Sequence, residues 1–211
     1  MQDVERFRKR AIFQHWWIVA CSLLLGLTGL FLFLSWVSPA AWWGWSRLVH
    51  RIAAVGFVGM PVLYFLLNPK SSWEWVKEAF TWNTDDLGWL QAAPSYYFGG
   101  PEEDMPPQDR SNTGQKLWML VAIVTGVVFV ITGFIMWFFK GSVAPGVLQA
   151  MVLIHDIAFI AGGTMLLVHI ALAAFHPRMS EAMRSMTTGK ATVDYVKSHH
   201  GKWYERVTAE K

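Results

Sequence analysis

Four apolar stretches decide what this chain can become. They cover residues 13–36, 48–67, 117–139 and 147–175. A bilayer core of about 30 Å is crossed by roughly 20 residues of helix, and each stretch reaches that length. The last is longer, with room to tilt or to project past the hydrocarbon. Backbone groups in lipid find no water, so each stretch must pair its N–H and C=O groups internally, which selects helix. The expected fold class is all-α: an integral membrane four-helix bundle, one domain over 1–211, with a long loop at 68–116 and a tail at 176–211. Pro61 is the strongest interruption inside any of the four.

Charge agrees with this reading. Only 16% of the residues are charged, against about a quarter in an ordinary soluble domain. The 13 tryptophans gather at the ends of the apolar runs, where an indole ring sits at headgroup level. Arg6, Arg8, Lys9 and Arg10 precede the first stretch like the basic region of a signal peptide. The stretch itself is too long for a signal core and lacks a small-residue cleavage site, so it reads as a retained helix. The single cysteine, Cys21, can make neither an internal disulfide nor a cysteine metal site. It reads as a small apolar packing residue.

Topology follows from the basic residues. Four crossings put both termini and the 68–116 loop on one side, which carries fifteen of the 18 Lys and Arg. The other side has Arg47, Arg51 and Lys140. The positive-inside rule places the richer side, with both termini, in the cytoplasm. Within the loop, Trp73, Val76 and Phe80 share one face of a short amphipathic helix over 72–80, suited to the inner membrane surface. The later part of the loop, with Gly99, Gly100, Pro101, Pro106 and Pro107, reads as ordered or partner-bound coil.

The histidines carry the chemistry. Of seven, His15, His50, His155 and His169 fall inside apolar helices, where an ionisable side chain costs free energy unless it has a partner. His155 and His169 share the fourth helix. Their spacing is about 40° short of four full turns and about 21 Å along the axis, so one ring lies near each membrane surface. The fourth helix enters from outside, making His155 outer and His169 inner. His15 opens the first helix on the inside, and His50 opens the second on the outside. Depth therefore sorts them into His50 with His155 and His15 with His169.

Neutral imidazole ligates iron, copper and zinc. Zinc wants a third or fourth ligand, and the only acidic residue at these depths is Asp156, about 100° round the helix from His155. Two axial imidazoles with a macrocycle supplying the equatorial donors is the haem arrangement. The expectation is two b haems: an outer one on His50 and His155, an inner one on His15 and His169. Iron with both axial positions filled suits electron transfer rather than oxygen chemistry. Gly26, Gly29, Gly56, Gly59, Gly126, Gly133, Gly162 and Gly163 lie on the four helices, where they either admit a flat macrocycle or simply let helices pack. His176, past the membrane and followed by Pro177, reads as a helix-end contact. His199 and His200, in a basic tail with Trp203 and Tyr204, read as a membrane-surface or subunit contact, or as proton donors to a neighbouring site.

Several segments together carry a family resemblance. They are His15-Trp16-Trp17, Leu48-Val49-His50, Asn112-Thr113-Gly114-Gln115-Lys116, Leu153-Ile154-His155, Val168-His169 and the tail from His199 to Tyr204. Asp86-Leu87-Gly88-Trp89 and Tyr96-Tyr97-Phe98-Gly99-Gly100 in the loop belong with them. The chain resembles the cytochrome b (gamma) subunit of membrane-bound formate dehydrogenase over nearly its whole length. The resemblance implies a quinone site beside the inner haem, using His169, Asn112, Gly114 and Gln115. It implies an iron–sulfur (beta) subunit and a molybdenum or tungsten catalytic (alpha) subunit on the outer face. It places the chain in the bacterial inner membrane, in anaerobic respiration, with menaquinone or ubiquinone as substrate. For Asn112 and Gln115 the spacing also fits a helix capping box, and the amides can serve both ends.

Two other readings compete. The same scaffold serves hydrogenase and thiosulfate or polysulfide reductase cytochromes. A metal or proton transporter would instead show helices interrupted at mid-membrane, often in repeated halves, and neither is visible. The chain offers no nucleophile, acid–base pair or phosphate loop for formate chemistry of its own, and nothing that suits nucleic acid.

Overall fold

Each apolar stretch folds as one long helix, and the polar remainder is mostly helical too. The computed structural model describes residues 2–34 and 40–209, side chains excepted at 40–43. In chain order the elements are β1 (Asp3–Glu5), α1 (Lys9–Phe33), α2 (Ala40–Leu67), α3 (Pro69–Ala79), α4 (Thr84–Tyr97), α5 (Thr113–Phe138) and α6 (Pro145–Ile170). A π turn (Ala171–Phe175) and a 3-10 turn (Pro177–Met179) lead to α7 (Ser180–Thr188), β2 (Lys190–Thr192), α8 (Val193–His199) and α9 (Gly201–Ala209). Among the described residues, four spans are long and apolar enough to cross a membrane: Lys9–Phe33, Gly44–Leu67, Thr113–Phe138 and Pro145–Phe175. All four helices start earlier than their apolar stretches, because helical hydrogen bonding continues into the flanking residues. The expected end of the first at Trp36 lies outside the described residues. Between α3 and the glycine- and proline-rich coil the loop holds a second helix, α4, with Asn83 and Asp86 closing a capping box at its start.

Contacts gather the chain into two compact units. One is Met1–Ile12, Trp73–Val121 and Leu166–Lys211; the other is Phe13–Ser72 and Ala122–Met165.

The second unit is the greater part of the four long helices. Helices α1 and α2 approach at Gly56, whose carbonyl accepts from Trp17 Nε1 at 3.0 Å. A Cβ added there would lie 3.1 Å from Cys21 Sγ, so buried Cys21 is a packing residue. Helices α5 and α6 meet at Gly162, where a Cβ would lie 3.2 Å from Thr125 Oγ1. Phe33 and Phe159 join α1 to α6, their ring centres 6.2 Å apart. The Arg51 guanidinium of α2 lies 5.3 Å from the Trp137 ring centre of α5. Leu27, Ile52, Leu66 and Ile157 stay well exposed, as lipid-facing positions do. Pro61 sits inside α2 without ending it, although proline deletes one backbone bond.

The first unit is built from the chain ends and the middle loop. β1 and β2 pair antiparallel, with Val4 opposite Ala191. Ala191, Tyr195, Val196 and Trp203 form its buried apolar core. Arg6 and Phe7 donate their backbone N–H groups to Gly189 O. Gly189 has φ +82°, and a Cβ there would fall 2.5 Å from Phe7 O. Glycine is required on both counts. Arg178 Nη1 donates to Tyr96 O at 2.9 Å and Gly100 O at 2.8 Å, tying the end of α4 to the chain that follows the π turn. On α3 and just beyond it, Trp73, Trp75, Phe80 and Trp82 remain exposed.

Candidate functional site

Helix α2 presents His50 and helix α6 presents His155, with ring centres 6.4 Å apart and planes inclined at 57°. Each ring is held from behind by a threonine on a neighbouring helix. Thr28 Oγ1 lies 2.9 Å from His50 Nδ1, and Thr132 Oγ1 lies 2.7 Å from His155 Nδ1. Each hydroxyl also reaches a carbonyl one turn back on its own helix, Leu24 O at 2.6 Å and Val128 O at 2.7 Å. Small residues clear the ring edges: a Cβ on Gly29 would lie 3.5 Å from His50 Cε1, and one on Gly133 would lie 3.9 Å from His155 Cε1. One metal between two imidazole nitrogens, each at about 2.0–2.1 Å, would set the ring centres roughly 6.3 Å apart. The observed separation matches. Among the described residues no three His, Cys, Asp or Glu side chains gather as a ligand set. The pair therefore offers a metal two protein ligands and leaves its other positions to another donor.

His15 and His169 are placed in different units, each with its own surroundings. His15, on α1, stands edge-on to Trp16 with ring centres 5.2 Å apart. Its Nδ1 is buried with no hydrogen-bond partner among the described residues. His169, near the end of α6, stacks on Trp118 of α5 at 4.8 Å and 10°. The π turn Ala171–Phe175 begins two residues later; such turns recur at functional sites.

The start of α5 is built with unusual care. Asn112 Oδ1 accepts from Gln115 N at 2.9 Å, and Gln115 Oε1 accepts from Asn112 N at 3.0 Å. This reciprocal box satisfies two backbone donors that a helix start otherwise leaves open. Both amide oxygens are occupied by it, which leaves the NH₂ groups as the donors each residue has to offer. Thr113 Oγ1 donates to Asp86 Oδ1 at 2.7 Å. Lys116 Nζ donates to the same carboxylate at 2.9 and 3.1 Å and to Thr81 O at 3.2 Å. Burial alone would raise the Asp86 carboxyl, but the Lys116 ammonium and the Thr113 hydroxyl outweigh it and hold it below the usual carboxylate range. A Cβ on Gly114 would lie 2.8 Å from Trp89 Cη2, so Gly114 lets α4 close against α5. The two loop motifs singled out in the sequence thus lock onto each other. A small cleft beside Asn112 is lined by Trp89, Tyr96, Met105 and His199.

The remaining histidines are more deeply placed than their basic setting suggested. His176 Nε2 donates to Tyr97 O at 3.1 Å, while its Nδ1 accepts from Arg178 N at 3.3 Å and caps the 3-10 turn. His199 bonds Tyr96 Oη through Nε2 at 2.7 Å and stacks on Tyr195. His200 is fully buried, its Nδ1 donating to Asp109 O at 2.8 Å. Burial, then Arg6, lowers His200 well below the ordinary imidazole value; burial also lowers His199, against the pull of Glu102. Burial pushes the Tyr96 and Tyr97 hydroxyls up to about 12. His199 and His200 thus tie the tail to the loop through Tyr96 and Asp109. Sequence reasoning also missed Thr28, Thr132 and Trp118, and gave Asp86 no role of its own within its motif. For the two threonines a signal existed, since each stands directly before a glycine in an apolar helix.

Comparison with known proteins agrees with the resemblance. The model of the prokaryotic cytochrome b561 family matches residues 6–189. The formate dehydrogenase cytochrome b556 subunit of Haemophilus influenzae is 24% identical over 220 residues, covering 98% of this chain and 84% of that protein. The cytochrome b556(fdo) subunit of formate dehydrogenase from Escherichia coli is 26% identical over 210 residues, covering 93% and 90%. The nitrate-inducible cytochrome b556(Fdn) subunit from the same species is 24% identical over 204 residues, covering 92% and 86%. With four apolar spans and a family match over most of its length, the chain belongs to the prokaryotic cytochrome b561 family and is a multi-pass protein of the bacterial inner membrane.

Proposed function

We propose that this chain is the membrane-anchor cytochrome b subunit of a respiratory formate dehydrogenase. It carries electrons from an iron–sulfur subunit on the outer face, through two b haems, to quinone at the cytoplasmic side. The observation that carries this reading is the His50–His155 pair, with two rings at the separation one metal requires and both Nδ1 atoms engaged by hydroxyls. A b haem held by these two histidines would supply a one-electron couple. His50 and His155 would hold the outer group, and His15 and His169 would be the ligands of the inner one. A buried His15 nitrogen with no hydrogen-bond partner among the described residues supports the second assignment.

Asn112, Gly114, Gln115 and His169 form the quinone site. The amide NH₂ groups of Asn112 and Gln115 donate to quinone oxygens, a use compatible with the capping box because the box takes only their carbonyl oxygens. Gly114 keeps the helix start close against Trp89. Both termini and the 68–116 loop lie in the cytoplasm. The charge bias supports that side, and the β1–β2 ladder supports placing the two termini together. Formate oxidation belongs to a molybdenum or tungsten subunit on the outer face, joined through the iron–sulfur subunit, and this chain's share of the reaction is quinone reduction.

Haem quantified per polypeptide in the purified chain, with a reduced-minus-oxidised spectrum, tests the reading. Two low-spin b haems are expected. Replacing His50 or His155 by Ala should remove one, and replacing His15 or His169 the other. A folded chain made with ample haem that binds none would overturn the proposal. The family match is to prokaryotic cytochromes b561 at large, so a hydrogenase or thiosulfate reductase partner is the second reading. The subunits that copurify with the tagged chain decide between them.

A further inference from the structure

The two histidines of the outer pair are received in the same way on two different helices. Leu27-Thr28-Gly29 on α1 meets His50, and Ile131-Thr132-Gly133 on α5 meets His155. In both, the threonine hydroxyl faces ring Nδ1 and the following glycine faces ring Cε1. A threonine hydroxyl has a single proton to give. At Thr28 it goes to Leu24 O at 2.6 Å, and at Thr132 to Val128 O at 2.7 Å. Each Oγ1 can then only accept from the imidazole. That fixes a proton on Nδ1 of both rings and leaves the lone pair on both Nε2 atoms.

We propose that the Thr-Gly dipeptides at 28–29 and 132–133 are the positioning residues of the outer haem, a duplicated cradle that sets the tautomer and rotation of both ligand histidines. The proposal rests on the assignment of His50 and His155 as ligands. A hydroxyl accepting from Nδ1–H makes the imidazole a better electron donor to a metal, and such partners commonly set ligand orientation and basicity. Valine in place of threonine keeps the volume and removes the acceptor. Serine keeps the acceptor and removes a methyl.

The test is a redox titration of the two haems in membranes containing the full chain, for Thr28→Val, Thr132→Val and the two serine variants. One haem, the same one that His50→Ala removes, should shift to a higher midpoint potential in each valine variant and further in the double variant. The other haem should keep its potential, and both serine variants should titrate like the unsubstituted protein. Valine variants that lose this one haem outright while the serine variants keep it would equally support the cradle. Unchanged potentials in the double valine variant would overturn the proposal, as would serine variants that shift as far as the valine ones. If His50→Ala retains both haems, the ligand assignment itself fails and the cradle falls with it. A measurement without substitution guards against misfolded variants. In ¹⁵N-histidine-labelled protein, the reduced-minus-oxidised infrared spectrum should show ligand imidazoles protonated at Nδ1, and Nδ1-deprotonated ligands in both haems would overturn the proposal.

Discussion

At the scale of single residues, the most exacting feature outside the four apolar stretches is the Asp86–Lys116 pair. The two side chains are 1% and 7% exposed, and Thr113, itself fully buried, completes the set. Two buried charges stabilise a fold only when every bond is made, and removing one partner of such a pair typically costs about 3–5 kcal/mol because the other is left bare. Asp86→Asn should therefore destabilise the first unit by roughly that amount. Adding Lys116→Met should recover much of the loss, because a buried pair is often no better than apolar residues of similar volume. Resistance to protease across a temperature series in mild detergent measures both. Equal stability of Asp86→Asn and the unsubstituted chain would remove the pair from this account.

At the scale of elements, the start of α5 serves two ends that substitutions can separate. Asn112→Ala removes the cap and should cost about 0.5–2 kcal/mol. Asn112→Asp and Gln115→Glu keep an acceptor oxygen for the box but lack the amide NH₂. These two should hold the stability of the first unit while slowing oxidation of the reduced haems by quinone at least tenfold, with ferricyanide oxidation unaffected. Gly114→Val places side-chain atoms where a Cβ already comes within 2.8 Å of Trp89, so it should part α4 from α5. The expected sign is increased proteolysis in the loop at 98–112. Normal quinone reduction by Asn112→Asp and Gln115→Glu would confine both residues to capping.

At the scale of the whole molecule, the tail and the loop share one pH dependence. His200 stays neutral in the folded unit, held there by burial, by Arg6 and by His199, with Asp109 O accepting its proton at Nδ1. Its folded pKa is depressed, so the unfolded chain, titrating near 6.5, takes up a proton that the folded one refuses. Stability should be flat above about pH 7.5 and fall as pH drops below about 6.5, by about 1.4 kcal/mol per unit for one such group. His199 adds in the same direction, moderated by Glu102. His200→Gln should reduce the slope between pH 7 and pH 5. Hydrogen exchange of residues 190–209 across that range reads it, and an unaltered slope would exclude His200 as its source.

Much of this protein was legible in its sequence. A stretch of twenty apolar residues has one solution in lipid, so four helices followed from length and hydropathy alone. Helix direction and rise sort four histidines into two depths, because an α-helix fixes the axial position of every residue. The His50–His155 pair then meets in the second unit. The cap at Asn112 and Gln115 was readable because both partners lie within one turn. What the sequence could not supply depends on contacts between distant segments. Thr28 finds His50 across 22 residues, and Thr132 finds His155 across 23. Asp86 and Lys116 meet across 30, and His200 finds its carbonyl acceptor across 91. Periodicity describes one element at a time, whereas a hydrogen bond between elements depends on how their faces turn toward each other. Only the packed chain decides that, which is why the helices and the candidate ligands could be read in advance and the groups that hold them could not.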